Sequence, residues 1–210
     1  MGQTEVIDLV GDPDASLLPA LDCLDRHGIL AYPTETVYGL GSLATPRGVS
    51  SLAAAKNRPP NRPFIVLVGS KAQADSLAWN SAAERLVERF WPGPLTIVLG
   101  DPDRSFPPGV RSVEGGVAVR LSPDPAVRRL LDELGEPVTS TSANLPGESP
   151  ALTAASAVET LRRIGVVGGC VIDGGARVDT APSTLVTCTT PAPRILREGA
   201  VPKPLILDLF

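Results

Sequence analysis

The stretch LAYPTETVYGLG, residues 30–41, places an apolar run directly before a dense group of polar side chains. Ile29 and the first three residues of the stretch form the pattern ILAY, which predicts a buried strand. Pro33 ends the run, and two threonines around Glu35 precede a tyrosine and two glycines. Hydroxyls, a carboxylate and a flexible backbone at the end of a strand are typical of a ligand-binding edge of an α/β sheet.

Strand and helix patterns alternate along the chain, which predicts an α/β fold. The last strand patterns follow one another without a helix between them, so we expect a mixed rather than a purely parallel sheet. The 210 residues contain no internal repeat and no low-complexity linker, which predicts a single domain over residues 1–210. Strands are predicted over residues 4–10, 29–32, 63–68, 94–100, 115–121, 137–144, 170–175, 183–188 and 194–199, and helices over 14–28, 45–60, 81–91, 124–134 and 150–165.

The composition excludes several classes of protein. The formal net charge of -4 argues against a protein that coats nucleic acid with a broad basic face. No apolar run approaches the roughly 20 residues needed to span a bilayer, so we expect no membrane segment. Three widely spaced cysteines favour a reducing compartment, and we expect a cytoplasmic protein. Positive charge is concentrated between Glu35 and Asp75, an interval without acidic residues that contains Arg47, Lys56, Arg58, Arg62 and Lys71.

Several common catalytic arrangements have no residues to form them. His27 is the single histidine and precedes Gly28 at the end of a predicted helix, where a solvated histidine is the ordinary case. A Ser-His-Asp arrangement therefore has no obvious base, and the cysteines lack the spacing of zinc ligands. Neither a P-loop nor a G-x-G-x-x-G motif occurs. The remaining hydroxyls, amides and cations suit an anionic substrate and the stabilisation of developing charge.

Several separated motifs occur in a characteristic order: YPTETVYGLG, K-x-R-P at Lys56 and Arg58, WPGPLTIVL, VAVRL, STSAN, and STLV followed by ILREGAV. This order and spacing resemble the YrdC/TsaC family over about residues 14–203. The resemblance implies a YrdC-like twisted mixed β-sheet with flanking helices around a large concave cationic cavity. It also implies that the chain is a single catalytic domain.

Members of the family are threonylcarbamoyl-AMP synthases, which combine L-threonine, bicarbonate or CO₂, and ATP, and release pyrophosphate. Their product is the activated intermediate for threonylcarbamoyladenosine, a tRNA modification next to the anticodon. The resemblance therefore implies ATP as a substrate, Mg²⁺ bound with ATP, and proteins of the TsaD, TsaB and TsaE types as partners. Direct binding of tRNA or other RNA stays open. We expect it to be weak, because the net charge is -4.

The K-x-R motif implies two catalytic cations. We expect Arg58 to hold phosphate or carboxylate oxygens through its planar fork, and Lys56 to add a mobile point charge. Both residues also suit the C-terminal end of the predicted helix, whose dipole favours cations, so helix capping is the alternative. Arg62 resembles a nucleotide contact of the family and is otherwise a solvated loop arginine.

The resemblance divides the candidate binding residues between two ligands. Thr34, Thr36, Arg120, Ser140 and Ser183 are implied contacts of L-threonine, and Arg58, Arg62, Ser142, Asn144 and Arg197 are implied contacts of ATP. The hydroxyl residues also suit turns and local caps. The choice between Thr34 and Thr36 as the direct contact stays open. The sequence contains no acidic cluster that would predict a Mg²⁺ site built from protein side chains.

The chain departs from the family pattern in two respects. Leu67 stands where some relatives have a histidine that contacts the amino acid, so we expect a more apolar wall there. The second domain of longer relatives is not represented, so we expect local loops or partners to supply any lid.

Two alternative functions compete with this interpretation. A carbamoyl-adenylate-forming module of the hydrogenase-maturation type is the alternative enzyme, although such proteins carry acylphosphatase and zinc-finger regions that we do not find. A double-stranded-RNA-binding module is the alternative of a different class. The net charge of -4 and the confined cationic segment argue against it.

Overall fold

The computed structural model describes residues 4–178 and 180–210, which form ten strands and six α-helices. The strands are β1 (Glu5–Asp8), β2 (Leu30–Pro33), β3 (Tyr38–Gly41), β4 (Ile65–Leu67), β5 (Leu95–Gly100), β6 (Gly116–Arg120), β7 (Val138–Ser142), β8 (Cys170–Asp173), β9 (Thr184–Thr187) and β10 (Arg194–Arg197). The helices are α1 (Leu18–Asp25), α2 (Pro46–Ala55), α3 (Ser81–Phe90), α4 (Pro125–Leu134), α5 (Ala154–Arg163) and α6 (Lys203–Leu207), with a short 3₁₀ helix over Lys71–Ala74. Every predicted strand and helix is present, with shifted ends.

All ten strands belong to one sheet, in the order β1-β8-β2-β3-β7-β4-β6-β5-β9-β10. β8 runs parallel to both β1 and β2, β4 runs parallel to β6, and β5 runs parallel to β9. The other neighbouring strands are antiparallel. The prediction of a mixed sheet is therefore confirmed.

β7 joins the two halves of the sheet. It pairs antiparallel with β3, where Gly39 is opposite Ser142, and antiparallel with β4, where Ile65 is opposite Ser140. These three strands carry the end of the YPTETVYGLG motif, the segment after K-x-R-P and the STSAN motif. Motifs that are far apart in the sequence thus become neighbours at the centre of the sheet.

Two hydrophobic clusters pack on opposite faces of the sheet, because successive strand residues alternate between faces. Val66 belongs to the cluster that contains residues of α2, α3 and α5. Leu67 belongs to the cluster that contains residues of α1 and α4. α1 packs on β1, β8 and β2, and α4 packs on β2, so both helices cover the same end of the second face. Ile65 of β4 and Ser140 of β7, which lie further along that face, line a cavity.

Residues 38–41 form β3, which is not among the strands predicted from the sequence. The two glycines dilute the apolar pattern, and no strand signal remains without knowledge of the neighbouring strands. Gly41 is required by packing: a Cβ there would overlap the carbonyl oxygen of Thr139 and lie 2.8 Å from Tyr32 Oη. Tyr32 Oη donates a hydrogen bond of 2.9 Å to that carbonyl. The close approach at Gly41 therefore serves the sheet itself. The prediction also missed α6 and the 3₁₀ helix.

Two further sequence expectations concern membranes and cysteines. None of the helices in the described part of the chain combines the length and apolar character that a membrane crossing requires. Cys23, Cys170 and Cys188 are free thiols and are all buried.

We expect Gly41→Ala to lower the free energy of unfolding by about 3 kcal/mol, because the added methyl overlaps backbone and a buried tyrosine. Urea denaturation measures this loss. Gly100→Ala on β5 is the matched control, since its Cβ would meet only Ala78 Cβ at an ordinary 3.6 Å. The control should change stability by less than about 1 kcal/mol. Equal stability of both variants would contradict the packing argument.

Candidate functional site

Two adjoining cavities open on the same face of the sheet. The first has a volume of about 430 Å³ and the second about 800 Å³. Arg58, Ile65 and Arg197 line both, so the cavities meet at these residues. The first is also lined by predicted site residues from four separate motifs, namely Thr34, Thr36, Arg120, Ser140, Ser142 and Ser183. Arg62 lines the second.

Thr34 and Thr36 belong to one tight turn between β2 and β3. Thr34 Oγ1 donates to the carbonyl of Val37 at 2.7 Å and accepts from the backbone N–H groups of Thr36 and Val37. Its donor and acceptor capacity is therefore committed to the turn. Thr36 Oγ1 has one hydrogen-bond contact in the described structure, with Thr34 Oγ1 at 3.0 Å. Thr36 is therefore the hydroxyl with capacity left for a ligand.

Arg120 is the last residue of β6, and its guanidinium forms an ion pair with the carboxylate of Glu35. Its Nη2 donates to Glu35 Oε2 at 3.1 Å, and Ser122 Oγ donates to the same oxygen at 2.7 Å. The side chains of Arg120 and Glu35 are 8% and 16% exposed, so this ion pair is largely shielded from water. Glu35 Oε1 and Arg120 Nε are buried without a partner among the described residues. Glu35 thus fixes one edge of the guanidinium that faces the cavity.

Arg58 lies between the cavities and is fixed by three hydrogen bonds. Its Nε donates to Arg62 O at 2.6 Å, Nη2 to Pro63 O at 2.9 Å and Nη1 to Thr141 Oγ1 at 3.2 Å. The guanidinium also stacks over the ring of Phe64, 4.4 Å from its centroid. Burial, and then the charge of Arg62, lowers the pKa of Arg58. Two of its five N–H groups remain for an anion.

Arg197 at the end of β10 and Ser183 immediately before β9 line the first cavity. Arg197 Nη2 donates to the carbonyl of Ser183 at 2.9 Å, and Ser183 Oγ lies 2.8 Å from Thr96 Oγ1. Burial, and then the charge of Arg120, lowers the pKa of Arg197. Arg120 at the end of β6 and Arg197 at the end of β10 thus both line the first cavity, together with Arg58.

Lys56 and Asn144 are not among the described residues that line either cavity. Lys56 Nζ donates to the carbonyls of Ser142 and Asn144 and to Asn144 Oδ1. Burial, and then the charge of Arg58, lowers the pKa of Lys56 to about 8. The two cations of the K-x-R motif therefore face different surroundings.

Leu67 is completely buried in the hydrophobic cluster that contains residues of α1 and α4. It is not among the described residues that line either cavity, so it does not form the apolar wall that the sequence predicted. We therefore expect this residue to affect the site through packing alone. Within residues 4–178 and 180–210, no group of three or more His, Cys, Asp or Glu side chains could hold a metal ion.

Sequence reasoning missed several contributors to the site. Thr141, Thr180 and Pro182 also line the first cavity, while Ser122 and Thr96 support residues that do. Ser122 carried a signal: its Oγ accepts from the N–H of Asp124, the N-cap of α4, so it belongs to a helix start. Its contact with Glu35 follows only from the tertiary fold.

The comparisons with known proteins agree with this architecture. The family model named Sua5/YciO/YrdC, described as telomere recombination, matches residues 22–199. The threonylcarbamoyl-AMP synthase of Bacillus subtilis (strain 168) is 33% identical over 202 residues, which cover 95% of this chain and 58% of that protein. The corresponding protein of Xanthomonas axonopodis pv. citri (strain 306) is 39% identical over 160 residues, which cover 74% of this chain and 83% of that protein.

The crystal structure of P. abyssi Sua5 complexed with L-threonine is similar with a TM-score of 0.85 at 29% identity. The match covers 98% of this chain and 60% of that structure. The chain thus spans little more than half the length of the Bacillus and P. abyssi relatives.

We expect Glu35→Ala to lower the free energy of unfolding by about 2 to 4 kcal/mol, because it leaves the buried charge of Arg120 without its partner. Chemical denaturation measures this loss. Glu133→Ala is the control, since the ion pair of Glu133 with Arg129 is exposed, at 38% and 31%. The control should cost less than about 0.5 kcal/mol. Similar losses in both variants would show that shielding from water does not strengthen the Arg120–Glu35 pair.

Proposed function

The chain belongs to the Sua5/YciO/YrdC family, and we propose that it forms threonylcarbamoyl-AMP and pyrophosphate from L-threonine, bicarbonate or CO₂, and ATP. The product would serve threonylcarbamoyladenosine modification of tRNA. The observation that carries the proposal is the meeting of two cavities at Arg58 and Arg197, because the reaction must join two anionic ligands.

We assign the first cavity to L-threonine and its carbamate. Arg120 is the cation we expect to bind the α-carboxylate, since Glu35 holds its guanidinium in place and the fork suits a carboxylate. Thr36, Ser140 and Ser183 would contribute hydroxyls to the rest of the amino acid. The crystal structure of P. abyssi Sua5 in complex with L-threonine supports this assignment.

We assign the second cavity to ATP. Val98, Ala118 and Leu185 supply apolar surface for a flat base, while Arg62 and Arg194 supply positive charge for phosphates. Glu114 is the one carboxylate among the described residues that line either cavity, against five arginines: Arg58, Arg62, Arg120, Arg194 and Arg197. This excess supports a cationic binding site in a chain whose net charge is -4.

The proposed reaction places charge where the two cavities meet. The neutral amine of threonine attacks the carbon of CO₂ and loses a proton to solvent, which gives a carbamate. A carbamate oxygen then attacks the α-phosphorus of ATP, and the bond to the bridging oxygen of pyrophosphate breaks. Arg58 and Arg197 would stabilise the charge that develops on the phosphoryl oxygens, because both reach the junction and keep their own hydrogen bonds.

Mg²⁺ would accompany ATP without a protein-built site. The described lining offers one carboxylate, Glu114, and a Mg²⁺ cage of protein oxygens needs more than that. ATP phosphates and water would supply most of its ligands.

Partners of the TsaD, TsaB and TsaE types would receive the product and complete the tRNA modification. We place this in the cytoplasm, which agrees with three free thiols. RNA binding by this chain would be weak and secondary, as its net charge is -4.

We expect pyrophosphate release from ATP to require both L-threonine and bicarbonate. The assay omits each component in turn and measures pyrophosphate with a coupled enzyme, and mass spectrometry identifies the adenylate. Release that continues unchanged without threonine would contradict the synthase. Tight RNA binding that weakens steeply with salt, without any adenylate formation, would favour the RNA-binding alternative.

We expect Thr36→Val to raise the KM for threonine about tenfold with little change in stability, because its hydroxyl retains capacity for a ligand. Thr34→Val is the matched comparison: it should cost about 1 to 3 kcal/mol of stability, because the turn loses the acceptor of two N–H groups. Steady-state kinetics and urea denaturation measure the two effects. An unchanged KM in Thr36→Val, with a raised KM in a fully stable Thr34→Val, would reverse the assignment.

A further inference from the structure

Lys56 lies at the end of α2 and is 9% exposed. Its Nζ donates to Ser142 O at 3.1 Å, to Asn144 Oδ1 at 3.2 Å and to Asn144 O. All three acceptors are neutral oxygens within residues 142–144, where β7 ends. An ammonium has three N–H donors, so this segment occupies every donor that Lys56 has.

Residues 142–144 are held by a connected set of hydrogen bonds. Ser142 Oγ donates to Asn144 Oδ1 at 2.8 Å, and Asn144 Nδ2 donates to Glu148 O at 2.7 Å. The N–H of Ala143 donates to Tyr38 O in β3 at 2.9 Å. Lys56 therefore completes a network that ties α2 to the end of the central strand.

The position of Lys56 connects two parts of the proposed active site. Arg58 follows two residues later and lies where the cavities meet, while Ser140 and Ser142 line the first cavity from β7. The hydrogen bonds of Lys56 link the end of α2 to the end of β7, in addition to the direct bond of Arg58 Nη1 to Thr141 Oγ1 at 3.2 Å. Lys56 is not among the described residues that line either cavity, although it contacts Ser142, which lines the first.

We propose that Lys56 is a positioning residue that fixes segment 142–144 relative to Arg58 and makes no contact with either substrate. Its part in catalysis rests on the function proposed above. A small displacement of reacting groups costs about 10²-fold in rate, so a residue of this kind can strongly affect turnover. The buried ammonium is a strong anchor because hydrogen bonds from a charged donor are stronger than those between neutral groups.

The test uses Lys56→Met, which retains an aliphatic side chain and removes all three donors. Lys71→Met is the matched control, since the side chain of Lys71 is 43% exposed, pairs with Glu84 and lines neither of the two cavities. Amide hydrogen exchange of residues 140–151 is measured in the ligand-free full chain. Pyrophosphate release then gives kcat and the KM values for ATP and threonine.

We expect Lys56→Met to speed amide exchange over residues 140–151 by about tenfold, which the control should not do. We expect kcat to fall by about tenfold or more, with the KM for ATP changed by less than about threefold. Unchanged exchange with a KM for ATP raised about tenfold would overturn the proposal, because Lys56 would then contact the nucleotide. Faster exchange with normal kcat and KM would also overturn it, since the anchor would then serve stability alone.

Two further conditions keep the test decisive. If Lys56→Met does not fold, Lys56→Gln replaces it, since it retains two N–H donors and should give intermediate exchange and kcat. Wild-type exchange and kcat in that variant, with a raised KM for ATP, would overturn the proposal. The exchange measurement needs no substrate, so an inactive wild type would refute the proposed function while the anchoring by Lys56 is still tested.

Discussion

The pairing of β7 with β3 on one side and β4 on the other is the constraint on which the rest of the structure depends. Both pairings are antiparallel, and together they join the two halves of a ten-stranded sheet. They also bring the hydroxyls of Ser140 and Ser142 to the centre of the sheet, beside Gly39 and Ile65. A central strand is buried by its neighbours, so polar side chains there must find partners or face a cavity. The open face of the sheet provides that cavity.

The cationic side chains near the cavities have hydrogen-bond partners within the protein. Arg120 has Glu35, Arg197 has the carbonyl of Ser183, and Lys56 has three oxygens of the adjacent turn. Burial lowers the pKa of Lys56, Arg58 and Arg197, which reflects the cost of holding charge away from water. The arginines stay charged because their pKa lies far above neutrality in any ordinary setting. Fixed charges of this kind stabilise a transition state without reorganising during the reaction.

Elements with strong local signals could be predicted from the sequence. α4 has Asp124 as its N-cap and Gly135 in the left-handed conformation at its end. Aspartate before a helix and glycine after it are residue types that mark helix ends in a sequence. β3 could not be predicted, because Tyr38–Gly41 becomes a strand only through its two neighbours. The candidate ligand residues could be identified as a group through the resemblance. Their partners could not, because Arg120 and Glu35 are 85 positions apart and meet only in the folded sheet.

Lys56 and Arg58 show why a motif does not assign the role of each member. The two cations are separated by Asn57, which adopts a positive φ of 44°. Asparagine tolerates this conformation better than most residues, and it ends the helical path directly after Lys56. Lys56 Nζ donates to oxygens at the end of β7, while Arg58 lines both cavities. The two charges of the motif therefore lie in different surroundings, one against the end of β7 and the other at the junction of the two cavities. Spacing alone would have given both cations the same role.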